Sequence, residues 1–149
     1  MKKLLLSIFT FASIVTQAQV TTVFSENIGS PTGTTVYTAY TGWQNNGTLT
    51  FTGTGDVRST SPSTNAYTGA SGAGNVFLTT NAASKTLIIS NINTTGYTAL
   101  NLAFGLMKNT TASNGSELSV EVSTDGVVYT ALTFPALPTG SGTANWKWV

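Results

Sequence analysis

Few side chains in this sequence can do chemistry, and their spacing limits what they can do. Asp56 and Arg58 stand two apart in Gly55-Asp56-Val57-Arg58, so on a strand they share one face. Arg58 is the only arginine, and its planar guanidinium suits a bidentate grip on a carboxylate or on a pair of sugar hydroxyls. The same pair also reads as an internal clamp holding the long loop that follows. Trp43, Tyr37, Tyr40 and Tyr67 supply ring faces on which sugars stack, although in a small β-protein such rings commonly fill the core or cover its ends. Glu26 is one of only five acids. A lone carboxylate falls short of the roughly six to eight oxygens calcium takes, so its simpler reading is a solvated group at a strand end.

Other chemistries fail on composition or distance. The chain has no histidine and no cysteine, which removes imidazole and thiol catalysis, disulfides, and the usual ligands of zinc, copper and iron. Among metals, oxygen-ligand ions such as calcium stay open. Glu117 and Glu121 lie four apart on an outward strand face, about 13 Å from each other, too far to flank a glycosidic bond. Gly69-Ala70-Ser71-Gly72-Ala73-Gly74 matches neither a nucleophile elbow nor a dinucleotide loop, and Ser71 has no imidazole to activate it. The expectation is a protein that is not an enzyme.

The start of the chain is an export signal. Met1-Lys2-Lys3 is basic, Leu4 to Val15 is apolar but too short to span a bilayer, and Thr16-Gln17-Ala18 offers small residues for cleavage after Ala18. Residues 1–18 are therefore predicted to be a signal peptide, and residues 19–149 a single secreted or cell-surface module. Without Lys2 and Lys3 the formal net charge passes from +1 to −1. No basic cluster remains to neutralise phosphates, so nucleic acid is not an expected partner.

The elements that must position these residues are strands. In Ser116 to Phe134, Leu118, Val120 and Val122 alternate with Glu117, Ser119 and Glu121, and Asp125-Gly126 brings the positive-φ chemistry of a hairpin turn. This antiparallel hairpin is expected to organise the fold. Val20–Ile28, Thr48–Thr52, Asp56–Arg58, Asn75–Thr80, Lys85–Ile92 and Leu100–Met107 read as further strands. Leu87-Ile88-Ile89 marks a central, well-covered one. Ser59 to Gly74 is a low-complexity loop with Tyr67 as its single large side chain, and a short turn is expected at 81–84. Trp146 and Trp148 share a strand face and are expected in the core. The predicted fold is an all-β antiparallel sandwich. Because Asn145 to Val149 alternates aromatics without a following turn, its closing strands are expected beyond Val149.

An ordered series supports this reading: Phe24-Ser25-Glu26-Asn27-Ile28-Gly29, Gly42-Trp43, Gly55-Asp56-Val57-Arg58, Ser61-Pro62-Ser63 and Tyr67-Thr68-Gly69-Ala70-Ser71-Gly72. It continues through Asn75-Val76-Phe77, Gly96-Tyr97, Val122-Ser123-Thr124-Asp125-Gly126 and Trp146. The series resembles N-terminal jelly-roll modules of secreted Bacteroidetes-type surface proteins, similar to carbohydrate-binding or galactose-binding-like domains. The resemblance implies a jelly-roll topology, a glycan or other surface polymer as partner, and downstream domains of the same chain, often a hydrolase or nuclease with a sorting domain. It also implies that Glu26 could share a calcium ion with acids of a last strand. Trp43, Asp56, Arg58 and Tyr67 are thus the expected ligand contacts and Glu26 the expected metal ligand. The other expectation is a structural or adhesive spacer without a ligand of its own.

Overall fold

Alternation of threonine with Phe51, and the apolar run Leu87-Ile88-Ile89, give the described residues their longest ladder. Strand β2 (Thr50–Gly53) pairs antiparallel with β5 (Leu87–Ser90), Phe51 opposite Ile89 and Thr52 opposite Ile88. A second sheet has β3 (Asp56–Arg58) at its centre, between β1 (Thr35–Val36) and β4 (Asn75–Phe77). The remaining pairs are β6 (Gly105–Leu106) with β9 (Lys147–Trp148), and β7 (Val120–Val122) with β8 (Thr130–Leu132). Every one of these pairings is antiparallel. The computed structural model describes residues 20–70, 72–79 and 83–149. The predicted signal peptide, Ser71 and the first residues of the expected 81–84 turn lie outside them.

The protein is all-β: among the described residues the one helical element is a single 3-10 turn, Tyr37–Ala39. No helix there is long and apolar enough to cross a membrane. The four small antiparallel sheets are compatible with a β-sandwich, although the described strands do not join into two continuous sheets.

The core sits between the first two sheets. Phe51 of β2 and Val57 of β3 point inward, and the 3-10 turn and the loop after it bring Tyr37 and Trp43 onto them. Val57 and Tyr37 are 0% and 1% exposed. Trp43 stacks on Phe51, ring centroids 4.2 Å apart and planes nearly parallel, and meets Tyr40 edge-on at 5.2 Å.

Several expectations change. Residues 20–28 form no strand, because their polar side chains capture the local backbone. Glu26 and Asn27 accept the N–H groups of Ile28 and Gly29, and Ile28 takes a φ of 64° that no strand residue adopts. Among the described residues β5 is flanked by β2 alone, and Ile88 stands 40% exposed instead of well covered. Of Leu100–Met107 only Gly105 and Leu106 are strand, and Leu100 and Leu102 lie exposed. The 116–134 hairpin forms, with Val120 opposite Leu132, but it is peripheral. Its return strand begins at Thr130, after a turn widened by Asp125, whose carboxylate accepts the N–H groups of Val127 and Val128 at 2.8 Å each. Gly126, at φ 73°, supplies the left-handed residue of that turn.

Candidate functional site

Strand pleating puts Asp56 and Arg58 on one side of β3, as expected, and the two close on each other. Arg58 Nε donates to Asp56 Oδ1 at 2.5 Å and Nη2 to Oδ2 at 3.2 Å. The guanidinium carbon lies 3.6 Å from the centroid of the Phe77 ring, contributed by neighbouring β4. The carboxylate's hydrogen bond raises the arginine's already high pKa further. Fork, carboxylate and ring form an internal clamp, with both carboxylate oxygens committed.

Behind the clamp, the Tyr37 hydroxyl is buried without a hydrogen-bond partner among the described residues. Burial, then the negative charge of Asp56, pushes its pKa far above the usual tyrosine value.

Glu26 is another internal acceptor. Its Oε1 takes the N–H groups of Ile28 and Gln44, both at 2.8 Å, and its Oε2 those of Asn45, backbone and side chain, at 3.0 Å. The carboxylate thus staples the segment at 26–28 to the loop after Trp43. Tyr40 adds a second tie, its hydroxyl donating to the Ile28 carbonyl at 2.6 Å. Four N–H donors turned on one carboxylate do not fit a calcium site, which needs further oxygen ligands. Among the described residues no cluster of three or more acids could supply them.

The expected ring platform divides in two. Trp43 is 5% exposed and enclosed by Phe51, Tyr37 and Tyr40, so its faces are unavailable for stacking a ligand. Tyr67, half-buried, lies elsewhere, beside Trp148, with ring centroids 5.3 Å apart and planes tilted by 35°. The approach needs Gly105 beneath it: a β-carbon there would come within 2.1 Å of the Tyr67 hydroxyl. Trp148, expected in the core, is 56% exposed, so the sequence reading missed it as a candidate contact. Only its alternation with Trp146 hinted at a face, and alternation does not say which face is covered.

The loop that carries Tyr67 is fixed at several points. Asn75 Nδ2 donates to Thr60 O at 2.5 Å, Ser63 N to Gly72 O at 3.1 Å, and the Trp146 indole N–H to Ser61 O at 3.0 Å. The result is an exposed indole and a half-buried phenol at a tethered loop rich in hydroxyl and amide side chains. Such a surface can hold a flat, polar-rimmed ligand by stacking and hydrogen bonding. Comparison of the chain with protein-family models, curated proteins and solved structures finds no match.

Proposed function

We propose that this protein is a non-catalytic, exported module that binds a glycan or similar extracellular polymer, within a larger secreted protein of the jelly-roll type the sequence resembles. The observation that carries the reading is Trp148, a large ring left 56% exposed against Tyr67. A tryptophan face exposed to water is costly to keep wet, and a pyranose ring covers it with C–H groups while its hydroxyls reach the loop. Tyr67 remains a proposed contact from the expected set. Trp148 takes the place of Trp43, and Asp56 and Arg58 are not contacts but hold β3 against β4.

The test is titration of the protein with soluble xylan, β-glucan and galactomannan, followed by calorimetry, for the native chain and for Trp148→Ala. The expected result is binding of at least one polysaccharide, lost in the variant with the melting temperature unchanged. The second reading, a structural spacer, is favoured by the inward commitment of Trp43, Asp56, Arg58 and Glu26. Absence of binding to all three polymers would favour it.

A further inference from the structure

The β7–β8 hairpin leaves its apolar face over an open groove. Two adjoining hollows of about 240 and 220 Å³ share Leu132, Thr133 and Phe134. Leu118 and Val120 line them from the hairpin, and Phe104 packs against Phe134 at 5.9 Å across the first. Val122, next in the same alternation, is 46% exposed. Among the described residues β7 pairs with β8 alone, so its other edge presents backbone donors and acceptors that no sheet partner takes.

Charge narrows what fits that edge. Glu117, Glu121 and Asp125 are three of the chain's five acids, and no lysine or arginine lies between Ser116 and Phe134. By the strand's period, Glu121 projects opposite to the groove-facing Val120, whereas Glu117 lies in the turn before β7, where its carboxylate accepts the Ser113 hydroxyl. We propose that the free edge of β7 accepts an added strand from a partner polypeptide in which apolar residues alternate with lysine or arginine. Main-chain hydrogen bonds to β7 supply the pairing. The apolar side chains extend the Val120–Val122 face over the groove, and the basic ones lie across from Glu121 on the other face, where opposite charges attract. Trp148 does not line this groove, and the proposal is independent of the glycan reading.

The probe is a fluorescein-labelled octapeptide of alternating valine and lysine, with a valine–glutamate octapeptide as its counterpart, titrated into the full chain by anisotropy. The lysine peptide is expected to bind, to weaken with added salt, and to lose about tenfold in affinity with Glu121→Lys. The same variant is expected to gain affinity for the glutamate peptide. Glu121 is exposed, so the exchange leaves the fold intact, checked by the melting temperature. Slowed exchange, in the complex, of the β7 amides that point away from β8 would place the peptide on the free edge. Equal binding of both peptides, no binding of either, indifference to Glu121→Lys, or self-association of the chain through this edge would each overturn the proposal.

Discussion

Around Trp43 three further aromatic rings and Val57 close on one another, whereas around Val120 a hairpin of similar strand chemistry lies with its apolar face half open. Both regions are built from short antiparallel pairs with residues alternating across the ladder. What separates them is the covering layer. β2 and β3 receive Tyr37 and Trp43 from the segment between β1 and β2, while Leu100, Leu102, Phe104 and Phe134 line an open hollow beside β7 and β8. Stability belongs to the first region and accessible apolar surface to the second. The second nevertheless has buried anchors: Leu137 is 6% exposed, and Lys108, 7% exposed, donates its ammonium protons to the carbonyls of Ser113, at 2.5 Å, and Pro138.

The contrast can be broken by substitution. Trp43→Ala should cost about 3–5 kcal/mol and unfold much of the population, read by urea denaturation. A loss below about 1 kcal/mol would mean that the rings do not form the stabilising core. Lys108→Met retains the apolar stem but strands two carbonyls, and should cost about 2 kcal/mol by the same measurement. Tyr37→Phe removes a hydroxyl that has no partner among the described residues, so stability at neutral pH should hold or rise by up to about 1 kcal/mol. Tyr37's folded pKa lies above its unfolded one. Its contribution is therefore fully present below about pH 10 and declines as pH rises past that value. Tyr37→Phe should move the alkaline unfolding midpoint upward.

The smallest effects belong to the hairpin. Val127→Ser, at a residue 80% exposed, should change stability by no more than about 0.5 kcal/mol. Asp125 has its pKa lowered, first by the Val128 N–H, then by the Val127 N–H and the Ser123 hydroxyl. Its turn bonds are thus fully present above about pH 4 and weaken as pH falls through the depressed value. Amide NMR shifts of Val127 and Val128 should follow that titration, while those around Trp43 stay still.

Local chemistry was legible in the sequence wherever it acts between near neighbours. The Asp125-Gly126 turn, the strand at Asp56–Arg58 and the salt bridge within it were readable because period 2 and turn geometry operate over a few residues. Residues 20–28 were misread because apolar alternation there competed with Glu26, whose four acceptances reach to Gln44 and Asn45, far along the chain. The site was half visible: Tyr67 stood out in its loop, but its partner came from the far end of the chain.

The sequence alone determined an all-β chain, poor in charge, with no imidazole or thiol chemistry, because composition and two-residue periodicity need no knowledge of what lies opposite. Tertiary structure decided which rings are buried. Trp43 and Trp148 are the same residue type, yet the first is enclosed by Phe51, Tyr37 and Tyr40 while the second, beside Tyr67, stays 56% exposed. Burial depends on which distant elements pack together, and that choice comes from the summed contacts of the whole fold, not from any local period.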